Sequence, residues 1–506
     1  MQSCVAMLAN CANPRRSTAA GQRVRGGMAW RGVCLAVLLL PCAALANPGE
    51  ERTPTDQISA AAELAMWQEI QHNVAMLRQQ SLLPMPASPN AVGYLFPLRL
   101  APGLPDAAGF RVSAFSDHNP AAGAVLDYNG GSRTYDGHRG TDLALTPFNW
   151  NKVDAGDMQA VAAAAGTIAA KANGDATDHN PCDGGSNADP WNYVALIHAD
   201  GTMTIYGHMR YNSLTGKNVG QTVVQGEYLG TAASSGNSSG PHLHFEVRYG
   251  SYSNAEWTDP YAGPNSQPQS LWLSQRPYLD SAINRLSTHS SPPSTANACA
   301  QTLTHLQDSF TTPQNVYFYA FFRDYQGALP AQLAIYRPDG STFQSWQYTT
   351  ATAFASSWTG SWLYSLPAGS PPGTWRFEAV YNGTSHNTFF NVDAPTSIAV
   401  SSPNGAENWD HALAHAITWS DNIGGEVNLD LYRNDVAIAR LVSNAPSNGS
   451  FLWTPDPALT LGPGYRVRVA SVTAPGLADS SDAAFTLSND QYLFSDSFEA
   501  APLTPP

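Results

Sequence analysis

The stretch GPHLHFEV, residues 240–247, places two histidines one residue apart in an otherwise apolar segment. Successive side chains of a β-strand point to opposite faces, so His242, His244 and Glu246 share one face while the intervening leucine, phenylalanine and valine share the other. A lone histidine in such a strand is most often a half-buried polar residue. Two on one face favour a metal site, because neutral imidazole is the commonest metal ligand in proteins.

A second motif lies upstream, in DGHRGTDLAL at residues 136–145. The spacing predicts that His138 and Asp142 share one strand face, with Gly140 between them leaving room for an ion. Alone, such a pair is more often an ordinary surface pair. TMTIYGHMR, residues 202–210, adds His208 on the polar face of a further strand. Three strands with polar histidine faces predict a catalytic zinc site, in which three protein ligands leave a fourth position for water.

These motifs are joined by VAAAAGTIAA (161–170), NYVALIHADGTMTIYGHM (192–209) and GQTVVQGEYLGTAASSGNSSGPHLHFEV (220–247). The set, over about residues 133–250, resembles the lysostaphin-type, LytM-like zinc metallopeptidases, which cut peptide bonds in bacterial cell walls. The resemblance implies an antiparallel β-sheet groove open along one side. It implies zinc ligation by His138, Asp142 and His244, with His208 and His242 acting catalytically on substrate and water.

The resemblance also suggests how the roles divide. His242 would accept the proton of the attacking water, while His208 stabilises the oxyanion or protonates the leaving amine. Sequence alone leaves open which of the two is the base. Glu246 is expected to orient a histidine. Two segments are longer than the family usually has, TPFNWNKVDAGDMQA (146–160) and NGDATDHNPCDGGSNADPW (173–191), and they either line the site or are decoration.

Three further histidines have plainer interpretations. His118 and His179 both stand in DHNP segments, and Asp/Asn-Pro runs are turn formers. His198 lies at a strand end and is predicted to be structural, although the family often has a histidine there.

One helix is predicted, over residues 55–80, because its apolar residues recur near the helical period. They are Ile58, Ala62, Leu64, Met66, Ile70, Val74 and Leu77. This apolar face needs a partner. Since related enzymes often carry an N-terminal segment that blocks the groove, we expect residues 47–90 to be a pro-like region.

Residues 300–395 and 396–487 predict two antiparallel β-sandwiches of roughly ninety residues each, the size of immunoglobulin-like modules. In GTWRFEAVYNG, residues 373–383, apolar and polar side chains alternate. The second module resembles the Ser/Thr-rich Ig-like domains of exported wall proteins, which suggests attachment or spacing. Seven tryptophans here are predicted core, with glycan stacking as the minority interpretation: Trp346, Trp358, Trp362, Trp375, Trp409, Trp419 and Trp453.

The fold class is therefore predicted as mainly β: an antiparallel β-sheet metallopeptidase domain with an N-terminal helix, followed by two Ig-like β-sandwich domains. The predicted divisions are a signal region at 1–46, the pro-like segment at 47–90, the peptidase domain at 91–262, a linker at 263–299, the two sandwiches at 300–395 and 396–487, and a tail at 488–506.

The start of the chain predicts export. GVCLAVLLLPCAALA ends in the small-residue pattern of a signal peptide, whether translation begins at Met1 or Met28. Removing residues 1–46 takes away five of the 25 basic residues and none of the 39 acidic ones, which leaves 20 − 39 = −19. So acidic a chain does not suggest nucleic acid as a partner. Of six cysteines, Cys182 and Cys299 remain, and we expect them to pair, although two free thiols remain an alternative.

The favoured function is a secreted zinc metalloendopeptidase, extracellular or periplasmic and monomeric, acting on peptidoglycan peptides or on protein. Its C-terminal modules would hold a cell-wall polymer, and no transmembrane segment follows the signal. Two other classes stay open: a non-catalytic LytM-like scaffold or activator, which retention of all five polar positions argues against, and a surface adhesin. The cleaved bond and the ligand of the sandwiches cannot be told from the sequence.

Overall fold

A computed structural model describes residues 58–83, 92–104, 106–183, 191–253, 256–295, 299 and 301–489. The predicted signal region, and all of the predicted tail except residues 488 and 489, lie outside these ranges. Within them, strands dominate and antiparallel pairing prevails, which confirms the mainly β fold class. No helix in the described ranges is both long and apolar enough to cross a membrane.

The N-terminal half builds an eight-stranded antiparallel sheet and a three-stranded one. The eight-stranded sheet has the order β2-β3-β10-β7-β6-β5-β8, with β11 pairing β10, and the smaller sheet has the order β1-β4-β9. The elements are α1 (Ala60–Gln79), β1 (Leu98–Leu100), β2 (Phe110–Ala114), β3 (Thr141–Leu145), α2 (Asn149–Ala155), β4 (Met158–Val161), β5 (Gly166–Ala172), β6 (Tyr193–Ile197), β7 (Met203–Gly207), β8 (Thr222–Val223), β9 (Tyr228–Thr231), β10 (His242–Arg248) and β11 (Trp257–Thr258).

Strand β10 runs through the middle of the large sheet, and its alternation is that predicted from GPHLHFEV. Leu243, Phe245 and Val247 enter the main hydrophobic core, where they pack with residues of both sheets. The opposite face, with the two histidines and Glu246, is also buried. Because both faces of β10 are covered, the polar face is an interior one, and its charges need partners.

Helix α1 is shorter than predicted, and its buried face contains Trp67 but not Leu64. The structure gives Ala60–Gln79, with the Ser59 hydroxyl accepting a hydrogen bond from the Ala62 backbone N–H as an N-cap. Leu64 was expected on the apolar face but is 59% exposed, whereas Trp67 is 4% exposed. The helical period explains this, because Leu64 falls outside the arc of the helix that Met66, Trp67 and Ile70 occupy.

The next region is a sandwich of a three-stranded sheet, order β12-β16-β19, and a five-stranded sheet, order β15-β21-β20-β17-β18. In β20 the apolar residues Trp375, Phe377, Ala379 and Tyr381 are all buried, as the alternation predicts. The strands are β12 (Ala282–His289), β13 (Ser294–Thr295), β14 (Thr302–Leu303), β15 (Ser309–Phe310), β16 (Gln314–Tyr325), β17 (Ala331–Tyr336), β18 (Thr342–Tyr348), β19 (Ala355–Leu366), β20 (Gly373–Tyr381) and β21 (Thr384–Val392).

The C-terminal region is a second sandwich, with sheets of order β22-β24-β27 and β23-β30-β28-β25-β26, and β29 pairing β28. Its core contains Trp409, Trp419 and Trp453. The strands are β22 (Ile398–Ser402), β23 (Asn408–Asp410), β24 (His415–Asp421), β25 (Glu426–Arg433), β26 (Val436–Pro446), β27 (Ser450–Trp453), β28 (Gly462–Ser471), β29 (Ala478–Ser480) and β30 (Phe485–Ser488).

The segment predicted as a linker, 263–299, contains a strand of the first sandwich. β12 pairs with β16 from Ala282↔Arg323 to His289↔Tyr317. Its burial explains the difference, because Ile283 and Leu286 belong to the sandwich core. The predicted disulfide between Cys182 and Cys299 is present and ties the peptidase region to the end of this segment.

Candidate metal centre and active site

The order of strands in the large sheet brings the histidine motifs together. β10 lies between β3 and β7, and its His244 is the register partner of Asp142 on one side and of Gly207 on the other. His208 follows directly after Gly207. Three segments far apart in sequence therefore meet at one point of the sheet.

Three nitrogen and oxygen atoms converge there. Asp142 Oδ1 lies 3.1 Å from His138 Nε2 and 2.8 Å from His244 Nδ1, and the two nitrogens lie 3.4 Å apart. A tetrahedral ion with ligands at about 2.0–2.1 Å has donor atoms about 3.3 Å apart. In addition, Asp142 Oδ2 is buried and has no hydrogen-bond partner among the described residues. This donor set fits a metal ion.

The remaining ring nitrogens orient these ligands. His138 Nδ1 donates to the Phe115 carbonyl oxygen at 2.6 Å, which leaves Nε2 with a lone pair facing the centre. His244 Nε2 donates to Glu246 Oε1 at 2.8 Å, which leaves Nδ1 to face it. Each anchor selects the tautomer that metal binding requires, as partners of metal-bound histidines do in general.

Two further histidines lie beside this set. His242 Nε2 is 3.7 Å from Asp142 Oδ1, and its Nδ1 donates to the Gly240 carbonyl at 2.8 Å. His208 Nδ1 donates to the Ser235 carbonyl at 2.6 Å, and the His208 and His242 rings lie 4.4 Å apart. The structure thus brings all five predicted residues together. His208, His242 and His244 also form a group whose ligand atoms lie within 4.8 Å of one another.

Two of the histidines do not lie where the strand pattern places them. β3 begins at Thr141, so His138 reaches the site from the loop before the strand. β7 ends at Gly207, and His208 has a left-handed backbone with φ of 57°. Gly140 is required for a steric reason: a Cβ there would lie 2.6 Å from His244 Nε2 and 2.8 Å from the Phe245 carbonyl oxygen.

The buried groups of the site shift one another's pKa values. Burial by itself raises the pKa of Asp142, but its electrostatic interactions with His138 and His242 and its hydrogen bonds with His138 and His244 outweigh burial and hold this pKa well below its usual range. Burial lowers the pKa of His208, and the neighbouring His242 and His244 lower it further. Burial also lowers the pKa of His242. The site therefore combines a carboxylate with two imidazoles that favour their neutral form.

Glu246 has a partner on each side. One oxygen accepts from His244 Nε2, and the other accepts from Arg248 Nε at 2.6 Å. Burial works against its charge, but Arg248 and His244 outweigh it and lower the pKa of Glu246. Arg248 in turn lies 4.9 Å from the ring of Trp67 in helix α1. This chain of contacts fits the expected orienting role.

Two aromatic residues at the site were not identified from the sequence. The Trp191 ring lies 4.8 Å from that of His208 and 5.2 Å from that of His244. Tyr135 stacks on His138 with centroids 4.2 Å apart. Gly207 gives an indirect signal, because a Cβ there would lie 2.2 Å from the Trp191 ring. Trp191 ends one of the two long inserts, so at least this insert contributes to the site.

Helix α1 covers the site. Met66 Sδ accepts a hydrogen bond from Trp191 Nε1 at 3.4 Å, and Glu63 Oε1 lies 3.4 Å from Arg139 Nη1. The cavity between the helix and the metal-site residues has a volume of about 30 Å³. That is room for about one water molecule.

The other histidines of the peptidase region lie outside this centre. His198 is buried, and its ring nitrogens bond the Ala165 carbonyl and Thr204. His118 lies 2.9 Å from Asp259. His179 groups with Asp178 and Asp183, but its ring nitrogens are occupied by hydrogen bonds to Asp178 and Asp154.

The metal centre lies in a part of the chain that matches a known protein family. Residues 137–260 match the family model of Peptidase family M23. The range holds all five predicted site residues. The chain therefore carries a domain of this peptidase family, which confirms the resemblance found in the motifs.

A curated relative and several solved structures share parts of the chain. The cell division protein DipM of Caulobacter vibrioides (strain NA1000 / CB15N) is 47% identical over 58 residues, which is 12% of this chain and 9% of DipM. The catalytic domain of the antimicrobial peptidase lysostaphin from Staphylococcus simulans is 23% identical, over 30% of this chain and 86% of that chain, with a TM-score of 0.19. A titin Ig tandem is 11% identical, over 41% of this chain and 95% of that chain, with a TM-score of 0.19. The immunoglobulin-like character of the sandwiches remains a prediction.

Proposed function

We propose that this chain is a secreted zinc metalloendopeptidase that hydrolyses peptide bonds in peptidoglycan. The observation that carries the proposal is the convergence of His138 Nε2, Asp142 Oδ1 and His244 Nδ1 beside two further buried histidines. Nitrogen and carboxylate oxygen donors in this number are those of catalytic zinc sites. Membership of the domain in a peptidase family supports hydrolysis of a peptide bond.

The protein residues around the metal have distinct tasks in this proposal. His138, Asp142 and His244 hold zinc, which supplies Lewis acidity and lowers the pKa of water towards ~7. His242, directly beside Asp142, accepts a proton from the attacking water. His208 stabilises the developing oxyanion or donates a proton to the leaving amine. Because the His208 and His242 rings are neighbours, each of them fits both tasks: accepting the proton of water, and stabilising the oxyanion or protonating the leaving amine.

Helix α1 is proposed to be an inhibitory cover, as part of a pro-like segment. Its Glu63 and Met66 occupy the side of the centre that a substrate needs, and the remaining space is about 30 Å³. The second sandwich is proposed to retain the protein on wall polymer, as its resemblance to the Ig-like domains of exported wall proteins suggests.

Metal content and wall hydrolysis together test the proposed function. Purified chain lacking residues 1–90 should contain about one zinc per molecule by elemental mass spectrometry, and it should release peptide fragments from purified walls of several bacterial species. The fragments identify the cleaved bond. His138→Ala should lose both metal and activity, whereas His411→Ala, in the second sandwich, should keep both.

Two results would favour the other classes. Zinc binding without peptide release from any wall would indicate a non-catalytic scaffold that activates other enzymes. Absence of zinc together with firm wall binding would indicate an adhesin.

A further inference from the structure

A cleft of about 500 Å³ lies between the peptidase sheet and the first sandwich, away from helix α1. Its volume falls within the roughly 300–1,000 Å³ of pockets that hold small ligands. The lining residues that matter here are Ser113, Arg133, Tyr135, Tyr278, Phe354 and Ser356. Two of these, Phe354 and Ser356, belong to the first sandwich and the others precede it in the chain.

The cleft is adjacent to the metal ligands. Tyr135, on its wall, stacks on the ring of His138. Ser113, also on the wall, donates from its hydroxyl to the backbone carbonyl of Asp142 at 3.2 Å. A molecule in the cleft would therefore be separated from the metal centre by a single layer of residues.

The junction of the two domains holds the walls in place. Arg111 is fully buried and donates from Nη1 to the Ser356 hydroxyl at 2.6 Å. Arg133 Nη2 lies 2.5 Å from Asp324 Oδ1, and its guanidinium lies 5.6 Å from the Phe354 ring. These contacts make a preformed site, so binding would not have to order its walls.

The chemistry of the lining selects a class of ligand. Among the described residues that line the cleft, only Arg133 is charged, and its ion pair with Asp324 neutralises that charge. A charged ligand therefore finds no unpaired counterion in this wall. Ring faces of tyrosine and phenylalanine beside serine and threonine hydroxyls suit an uncharged ligand with apolar faces and polar edges. Phe354 is 40% exposed and available for such a contact.

We propose that this cleft is a saccharide subsite that binds an N-acetylated amino sugar of the glycan to which the cleaved peptide is attached. The proposal rests on the proposed function, since a peptidoglycan substrate carries the sugar and the cleaved peptide on one molecule. The first sandwich then contributes directly to substrate choice, through Phe354.

Binding of a sugar oligomer tests the subsite without any turnover. Triacetylchitotriose should bind the full chain in isothermal titration calorimetry. Phe354→Ala should weaken its binding about tenfold, the scale of one lost aromatic contact, and Phe354→Trp should preserve it. Phe389→Ala is the matched control, because Phe389 is 58% exposed in the same sandwich but does not line the cleft. Its affinity should equal that of the unaltered chain.

Kinetics on the chain lacking residues 1–90 add a second measurement. Phe354→Ala should raise KM for a glycan-linked peptide about tenfold with kcat unchanged, and leave turnover of the same free peptide unaltered. The proposal is overturned if the trisaccharide does not bind, if it binds Phe354→Ala equally well, or if Phe354 affects the free peptide as strongly. Sugar binding that depends on Phe354 in a chain that cleaves no peptide would instead reject the proposed function and keep the subsite.

Discussion

His242 and His244 lie one residue apart on β10, yet their ring nitrogens have different surroundings. His244 is held between Asp142 and Glu246. His242 is anchored at Gly240 and points its Nε2 towards the carboxylate from a greater distance. In the proposed function, His244 with its two acidic partners is a metal ligand with an orienting partner, and His242 moves protons.

Replacing each histidine separately should reveal the difference. In His244→Ala, zinc content and activity should vanish together, because one of three protein ligands is lost. His242→Ala should keep the metal and lose roughly 10² to 10⁴ in kcat, with KM less affected. Elemental analysis beside turnover of a peptide measures both. Equal zinc loss in the two variants would show that the ligand assignment is wrong, and full activity of His242→Ala would remove its catalytic role.

His179 joins the long insert to helix α2. Its Nδ1 lies 2.8 Å from Asp178, its Nε2 lies 2.6 Å from Asp154 of α2, and the ring stacks on Trp150 with centroids 5.3 Å apart. Asp183 accepts a hydrogen bond from the His179 backbone N–H, and Arg210 donates to the Asp154 carbonyl. The hydrogen bond to Asp178 outweighs partial burial and, with that to Asp154, raises the pKa of His179 to about 9.

The stability of the protein should reflect this pKa. A pKa raised in the folded state means that the ion pairs contribute fully below about pH 6.5, the usual histidine value, and are lost as pH rises through about 9. The melting temperature of His179→Gln should thus fall below that of the unaltered chain at pH 6 and converge with it near pH 10. His72→Gln, on the exposed side of α1, is the control. A constant difference across this range would show that His179 acts by packing alone.

At the scale of elements, helix α1 links the N-terminal segment to the metal centre. It buries Met66, Trp67 and Ile70 against Trp191, Tyr193 and the outer residues of the large sheet. The same apolar stripe that stabilises the helix therefore holds it over the metal-site residues. In the proposed function, this cover has to be displaced or removed before a peptide can bind.

Weakening the cover should raise activity. A chain lacking residues 47–90 should hydrolyse a small peptide at least about tenfold faster than the mature chain that retains them, because a tethered cover competes at a high effective concentration. Within the intact helix, Met66→Asp should raise activity and Leu64→Asp, on the exposed face, should not. If the shortened protein melts as a folded domain but is no faster, the helix has another role.

At the scale of the whole molecule, the first sandwich is packed against the peptidase region. Phe148 contacts Phe321 with ring centroids 5.1 Å apart, and the buried Arg111 donates from Nη1 to the Ser356 hydroxyl at 2.6 Å. From the sequence, a chain ending near residue 290 would be expected to cleave peptides normally. The contacts oppose this, because such a chain also leaves β12 without its partner β16.

Two truncations should therefore behave differently. A chain ending at residue 395 keeps the first sandwich and should retain peptide turnover, but it should sediment less with intact walls. A chain ending at 290 should melt about 5–10 °C lower, since each lost buried polar pair costs ~1–3 kcal/mol and 1 kcal/mol corresponds to ~2–4 °C at this size. Calorimetry with peptide turnover compares them. If the peptidase region melts at the same temperature in both truncated chains, the first sandwich does not stabilise it and is joined to it only by the backbone.

The sequence alone determined the local features of this protein. A period of two decides which side of β10 carries His242, His244 and Glu246, and a helical period locates α1, because both depend only on backbone geometry. The ligand motifs were found for the same reason, since each donor pair or triplet is contained in a short segment.

Only the tertiary structure decided how those segments meet. Pairing of β10 with both β3 and β7 brings Asp142 opposite His244 across about a hundred residues, and no local spacing encodes such a contact. Contacts between distant segments also account for three other features: the position of Trp191, the covering of the metal centre by α1 and the cleft beside Phe354. Each depends on surfaces that come together only when the chain folds, because burial rewards complementary shape between distant segments rather than any pattern within one of them.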